Sequence, residues 1–235
     1  MNTLLMSIIY PLTHLSLALI EWVLIGWAIR LWQQSTSFAM MVLPIVLLSI
    51  SYDNLILSIG SFIGAGELLK TLSMLRFLLH YLVVPLFIVI GVELAHRAGA
   101  SWANGVMRVL SAIVALGLAT IDIATHYIGL ELVPIEFAGI LRYHVANLSG
   151  PPIITIVVNI FVLLIGIGIW FRLKLPWLFL GTLISFFGNA LPSDIVGTLA
   201  GSASEFVMAI GLLLTEEFSQ KTKQKIIRES LLINR

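Results

Sequence analysis

The chain of 235 residues has no cysteine, and only 11% of its residues are charged. The absence of cysteine excludes disulfide bonds, catalytic thiolates, iron–sulfur clusters and cysteine-bound zinc. The net charge of +1 argues against the basic surface that nucleic-acid binding needs, so we expect no nucleic-acid partner. Hydrophobic residues make up 59% of the chain, and the mean hydropathy is +1.05. This composition is typical of a polytopic membrane protein, whose solvent is largely lipid.

Seven apolar segments approach or exceed the length of about 20 residues that a helix needs to cross a bilayer. They lie at 12–31, 38–60, 72–94, 105–126, 152–171, 175–191 and 195–215. The sequence therefore predicts an all-α, polytopic integral membrane protein with a bundle of seven transmembrane helices. In this interpretation residues 1–217 form the transmembrane domain, and residues 218–235 form a basic cytoplasmic tail.

The distribution of basic residues predicts the orientation of this bundle. Only Lys70, Arg76 and Arg142 lie on one side of the seven-helix topology, and the other ten of the thirteen Lys and Arg residues lie on the carboxyl-terminal side. Because basic residues close to helix ends stay in the cytoplasm, the N-terminus is predicted outside and the C-terminus in the cytoplasm. A bacterial inner membrane and an organelle membrane both fit this pattern, and the oligomeric state is left open.

The connection at 127–151 is unusual because charged and apolar residues alternate within it. Glu131, Glu136, Arg142 and His144 are mixed with Leu, Ile and Phe. This mixture favours an interfacial or re-entrant helix on the outer side over a fully solvated loop.

Polar side chains within the predicted spans are the candidates for a functional site, since they are costly in hydrocarbon and normally face the bundle interior or a wet cavity. Arg76 and His80 are four residues apart, as are Asp122 and His126, so each pair shares one stripe of its helix. The alternating directions of the helices place seven of these polar residues in the outer part of the membrane: Asp53, Asn54, Arg76, His80, Asp122, His126 and Asn189. Three others, Glu21, Asn159 and Glu205, are predicted to lie deeper. The sequence predicts one outward-opening polar cavity above an almost purely apolar inner half.

Two kinds of chemistry fit these residues. The imidazoles of His80 and His126 with the carboxylate of Asp122 are ligands suited to zinc or another divalent transition metal. Without a metal, the same three residues and Asp53 are candidates for general acid and base catalysis. Arg76 is expected to hold a lipid phosphate or carboxylate, and the remaining candidates for substrate binding are Asn54, Glu21, Asn159, Asn189 and Glu205. A purely structural polar network is the further alternative.

Two known seven-helix classes are excluded by particular residues. No lysine lies between Lys174 and Lys221, so the last span has no residue to form a retinal Schiff base. The metal-dependent hydrolases related to alkaline ceramidase carry two histidines four residues apart in their last helix, whereas residues 201–205 here read Gly-Ser-Ala-Ser-Glu.

These observations lead to three functional hypotheses. The first is a membrane-embedded enzyme that acts on a lipid or other amphipathic small molecule. The second is a proton- or ion-coupled transporter of a small solute, built around Glu21, Asp53 and Glu205. The third is a noncatalytic membrane assembly protein whose polar residues only hold helices together. An enzyme needs access from one face of the membrane, whereas a transporter needs a polar lining towards both.

Overall fold

The computed structural model describes residues 3–146, 152–191, 193 and 195–233. Its helices are α1 (Thr3–Ser35), α2 (Phe38–Ile63), α3 (Glu67–Val83), α4 (Leu86–Arg97), α5 (Gly105–Asp122), α6 (Ile153–Leu173), α7 (Trp177–Ala190) and α8 (Leu199–Ile233). A π-helical turn (Ile123–Tyr127) follows α5, and two strands, β1 (Leu132–Phe137) and β2 (Ile140–Val145), precede α6.

Six helical segments among the described residues are long and apolar enough to cross a membrane. They are Leu4–Ser35, Phe38–Ile63, Glu67–Arg97, Gly105–Tyr127, Ile153–Leu173 and Leu199–Lys225. The prediction of a mostly helical, multi-pass membrane protein is confirmed at this level. The segment predicted at 175–191 contains only α7, whose 14 residues rise about 21 Å against a hydrocarbon core of about 30 Å. A seventh crossing and the orientation of the bundle stay predictions.

The third candidate span is divided by Pro85. Helix α3 ends at Val83 and α4 begins at Leu86, although residues Glu67–Arg97 form one candidate membrane span by length and hydropathy. Proline has no N–H to donate, and its ring clashes with the carbonyl group four residues earlier, so an α-helix is interrupted there. The interruption lies next to the candidate site described below.

The helix predicted within 127–151 is wrong, because residues 132–145 form a β-hairpin. Strands β1 and β2 are antiparallel, with Phe137 paired with Ile140 at the turn. The two turn residues, Ala138 and Gly139, have φ values of 49° and 83°, as a tight two-residue hairpin turn requires. The all-α prediction therefore needs this correction, and the end of the segment, 147–151, lies outside the described residues.

The hairpin packs on α2, on α3 and on the start of α1. Ser61 Oγ donates a hydrogen bond to the Gly139 carbonyl at 2.6 Å and accepts one from the Leu141 amide at 2.8 Å. Tyr143 Oη accepts a hydrogen bond from the Gly66 amide at 3.1 Å. We call this end of the molecule the hairpin end.

The opposite end of the molecule is closed by ion pairs. Arg97 Nε lies 2.8 Å from Glu216 Oε1 and joins α4 to α8, and Arg108 Nε lies 2.6 Å from Glu93 Oε2. Trp27 Nε1 donates to Glu217 Oε2 at 3.0 Å. Between these contacts and the middle of the bundle lies the main apolar core, which includes Leu31, Met40, Leu43, Leu47, Ile90, Val162, Leu212 and Leu213.

Helix α8 continues without interruption from the hairpin end into the predicted tail. Its 35 residues include most of the segment 218–235, and residues 234–235 lie outside the described part. Close packing of α7 on α8 depends on glycine: a Cβ at Gly188 would collide with the Ser204 side chain, and one at Gly211 with the Trp177 carbonyl.

Candidate functional site

A polar cavity of about 210 Å³ lies at the hairpin end, between α2, α3, α4, α7 and α8. Five of the predicted site residues line it: Asp53, Arg76, His80, Asn189 and Glu205. They come from four different helices, so the fold brings together side chains that are up to 152 positions apart in the sequence (Asp53 to Glu205). Val83, Val84 and Phe87, around the Pro85 interruption, supply an apolar part of the wall.

Asp53 and Arg76 form an ion pair in this wall. Arg76 Nε donates to Asp53 Oδ1 at 2.8 Å, and the side chains are 7% and 36% exposed, respectively. Arg76 Nη1 is buried and makes no hydrogen bond to any described residue. The ion pair thus fixes the guanidinium group, and the buried Nη1 is left without a hydrogen-bond partner among the described residues.

His80 lies one helical turn beyond Arg76 on α3 and lines the same cavity. Its ring contacts the Tyr81 ring edge-on, with the centroids 6.1 Å apart. None of the hydrogen bonds within the described part of the chain involves the His80 ring nitrogens. A neutral imidazole has one donor and one acceptor nitrogen, so both functions are available to a molecule in the cavity.

The facing wall carries an amide and a carboxyl group on α7 and α8. Asn189 Nδ2 donates to Ser185 Oγ at 3.2 Å, one turn earlier on α7. Glu205 on α8 lines the same cavity. The cavity therefore contains a second carboxyl group in addition to that of Asp53.

A chain of hydrogen bonds runs from the cavity wall into the bundle. Thr198 Oγ1, in the wall, lies 3.0 Å from His14 Nε2. His14 Nδ1 lies 2.7 Å from Asn54 Oδ1, and Asn54 Nδ2 donates to Glu21 Oε1 at 3.0 Å. His14, Asn54 and Glu21 are all 0% exposed. The predicted residues Asn54 and Glu21 thus do not line the cavity, but they are connected to it.

Asp122 and His126 form their own pair outside the cavity wall. His126 Nδ1 lies 2.8 Å from Asp122 Oδ1, and the His126 side chain is 53% exposed. Asp122 is close enough to His80 for an electrostatic interaction. Within the described ranges, no three histidine or acidic side chains are grouped so that they could hold a metal ion. The geometry gives no support to the predicted zinc site of His80, Asp122 and His126, and we derive no step through a metal.

Asn159 stands apart from the other predicted residues. It is buried on α6, where its Nδ2 donates to the Thr155 carbonyl at 2.9 Å, and it is not part of the cavity wall. Four hydroxyl side chains that the sequence did not predict as site residues also line the cavity: Ser49, Ser193, Thr198 and Ser202. Single hydroxyl residues are common in membrane helices, so no pattern distinguishes these four from the others.

Comparison with known protein families, with curated proteins and with solved structures gives no match for this chain. The function is therefore proposed from the chemistry of the cavity.

Proposed function

We propose that this protein is a membrane-embedded enzyme that acts on the polar head of a lipid or another amphipathic molecule. In this proposal seven helices cross the membrane, the N-terminus and the cavity face the outside, and the C-terminus is cytoplasmic. The observation that carries the proposal is the position of His80. Its imidazole makes no hydrogen bond to the described residues and lines the same cavity as Arg76, whose buried Nη1 also lacks a hydrogen-bond partner among them. A general acid or base and an oxyanion donor at one site are the two requirements of ester chemistry.

The proposed reaction is hydrolysis or group transfer at an ester or phosphoester. Arg76 Nη1 holds a carbonyl or phosphoryl oxygen of the head group, and Asp53 keeps the guanidinium in place. His80 takes the proton from a water or hydroxyl nucleophile as its oxygen attacks the ester. His80 then gives that proton to the leaving oxygen when the ester bond breaks, so the enzyme returns to its starting state.

The size of the cavity supports a head group as the occupant. Pockets that enclose a whole drug-sized ligand measure about 300–1,000 Å³, whereas this cavity measures about 210 Å³. A polar head fits within it, and the acyl chains of an amphipathic substrate would remain in the surrounding lipid. Asp53 is more exposed than Arg76, so its carboxylate can accept a hydrogen bond from a hydroxyl or amine of the head group.

The one-sided distribution of polar groups supports an enzyme over a transporter. The halves of the helices remote from the hairpin contain the main apolar core, and the ion pair of Arg97 and Glu216 closes the far end. A transported solute would have to cross this core, which offers it no polar lining.

The test is product formation from lipids of known structure. The purified full chain would be incubated with vesicles that contain phosphatidylglycerol, phosphatidylethanolamine or cardiolipin, and released head groups and lipid products measured by mass spectrometry. We expect His80→Gln to lower turnover by about 100-fold or more, the usual contribution of a general acid or base. His126→Gln is the matched control, because this histidine lies outside the cavity wall. Equal turnover by the His80→Gln variant and the unaltered chain would refute the proposal.

The buried chain from Thr198 to Glu21 is the observation that favours the competing transporter hypothesis, since it places a carboxyl group deep in the bundle. Because the chain has no native cysteine, single cysteines can be introduced without background labelling. We expect a membrane-impermeant thiol reagent to label a cysteine at Ser202 in the cavity wall, and to leave cysteines at Val162 and Leu212 unlabelled from either side. Labelling at Val162 and Leu212 would reveal a hydrated path and favour the transporter.

A further inference from the structure

The buried chain of Thr198, His14, Asn54 and Glu21 contains two groups whose hydrogen-bonding direction can reverse. An imidazole has one donor and one acceptor nitrogen when neutral, and an asparagine amide has a donor end and an acceptor end. His14 touches Asn54 through one ring nitrogen and Thr198 through the other. All the hydrogen bonds between Thr198 and Glu21 can therefore reverse together when Glu21, at the closed end, changes from an acceptor to a donor.

When Glu21 is ionised, it can only accept. Asn54 Nδ2 then donates to Glu21 Oε1, as the structure has it, and Asn54 Oδ1 accepts from His14 Nδ1–H. His14 Nε2 carries no proton in this arrangement, so it accepts the hydrogen of Thr198 Oγ1. The Thr198 hydroxyl consequently presents only its lone pairs to the cavity.

When Glu21 carries a proton, the order is reversed. The Glu21 O–H donates to Asn54 Oδ1, after the amide has turned by half a rotation, and Asn54 Nδ2 donates to His14 Nδ1. His14 now carries its ring proton on Nε2 and donates it to Thr198 Oγ1. The Thr198 hydroxyl hydrogen is released and points towards the cavity.

We propose that Glu21 is a proton-binding site whose occupancy decides whether Thr198 offers an acceptor or a donor to the molecule in the cavity. Glu21 gains one proton, and the net charge of the four hydrogen-bonded residues changes from −1 to 0. His14 is neutral in both arrangements, and only the position of its proton changes. This inference rests on the cavity and its buried chain, and does not require the ester chemistry proposed above.

The surroundings of Glu21 support a proton as its ligand. Glu21 Oε2 is buried and makes no hydrogen bond within the described part of the chain, and Glu21 forms no ion pair with the described residues. Four charged groups on neighbouring elements interact electrostatically with His14 or Glu21: Asp53 on α2, Arg76 on α3, Arg142 on β2 and Glu205 on α8. A carboxylate in such a position is costly without neutralisation, and a proton is the smallest ligand that can neutralise it.

The tautomer of His14 is the direct readout. The full chain, labelled with ¹⁵N at histidine and reconstituted in lipid vesicles, would be followed by solid-state NMR from acidic to alkaline pH, with His14 assigned from its missing signals in a His14→Asn variant. We expect the ring proton to lie on Nε2 at the acidic end and on Nδ1 at the alkaline end. Infrared spectra of the same samples should show a carboxylic-acid band that disappears with the same midpoint.

Two variants separate Glu21 from its neighbours. We expect Glu21→Gln to make the His14 tautomer independent of pH and to remove the infrared band, whereas Glu205→Gln, the matched control, keeps both changes. A constant His14 tautomer in the unaltered chain, a doubly protonated His14 ring, different midpoints in the two spectra, or a switch that survives in Glu21→Gln would each overturn the proposal. Because the first three outcomes are measured on the unaltered chain, the proposal can be refuted even if Glu21→Gln does not fold. Lipid turnover is not a readout here, so failure of the proposed enzyme activity leaves this test unaffected.

Discussion

Arg76 is buried more deeply than the carboxylate that neutralises it. The Arg76 side chain is 7% exposed and that of Asp53 36%, and their closest atoms are 2.8 Å apart. Removing the acid from such a pair leaves a buried cation without its counter-charge, and an uncompensated buried charge is strongly destabilising.

Asp53→Asn should therefore destabilise the protein. We expect the free energy of unfolding to fall by about 2 kcal/mol, less than for a fully buried pair because water reaches Asp53. The measurement is denaturation of the purified chain by an ionic detergent, followed by circular dichroism. The double variant Asp53→Asn, Arg76→Gln should recover much of the loss; equal stability of the single variant and the unaltered chain would show that the pair is not coupled.

Gly197→Ala should be destabilising at the junction between the hairpin and α8. Gly197 has a φ of 79°, and a Cβ there would collide with the Tyr10 hydroxyl and the Phe137 ring. Tyr10 Oη also accepts the Leu199 amide at the start of α8 at 2.9 Å. We expect a loss of about 2 kcal/mol or more, from strain and the displaced contact.

The control for this substitution is Gly117→Ala on α5, where a Cβ meets no atom within 4 Å. That variant should be as stable as the unaltered chain or more stable by up to about 1 kcal/mol, because alanine favours a helix. Equal effects of the two substitutions would mean that the contacts of Gly197 are unimportant.

Glu216→Gln should destabilise the closed end. Glu216 is 0% exposed and accepts hydrogen bonds from Arg97, Ser35 and Gln220. We expect a loss of about 3 kcal/mol in the free energy of unfolding, since Arg97 loses its counter-ion. Glu229→Gln is the control, because Glu229 is exposed and 3.9 Å from Lys225, and such pairs contribute less than about 1 kcal/mol.

Ser61→Ala should release the hairpin from α2. The Ser61 hydroxyl donates a hydrogen bond to Gly139 in the turn and accepts one from Leu141 on β2. We expect the Leu141 amide to exchange its hydrogen at least about 5-fold faster, which corresponds to about 1 kcal/mol per lost hydrogen bond. Ser16→Ala is the control, since Ser16 bonds only to the Leu12 carbonyl of its own helix. Unchanged exchange at Leu141 would mean that other contacts hold the hairpin.

Helical periodicity explains how much of the site could be predicted from the sequence. Arg76 and His80 are four residues apart, and both line the cavity, because that spacing returns a side chain to the same face. Asp122 and His126 have the same spacing and form a pair, but the spacing does not say whether α5 borders the cavity. Their position outside the cavity wall depends on how helices pack, which periodicity does not encode.

Other features depend on contacts between distant parts of the chain. Thr198 meets His14 across 184 positions, and nothing in the local sequence of either residue indicates that meeting. The hairpin was missed for a different reason: short apolar runs such as Leu132–Phe137 fit a strand and a membrane-associated helix equally well. The glycine at position 139, in the two-residue turn with Ala138, is a local feature that favours a hairpin over a helix.

Helix α8 carries both Glu205, in the cavity wall, and Glu216, at the closed end. The two residues are 11 positions apart, which is about 16 Å along one unbroken helix. Over that distance a helix is a stiff rod, so an axial displacement at one end arrives at the other almost undiminished. A molecule that displaces α8 when it fills the cavity would therefore also move Glu216 at the closed end.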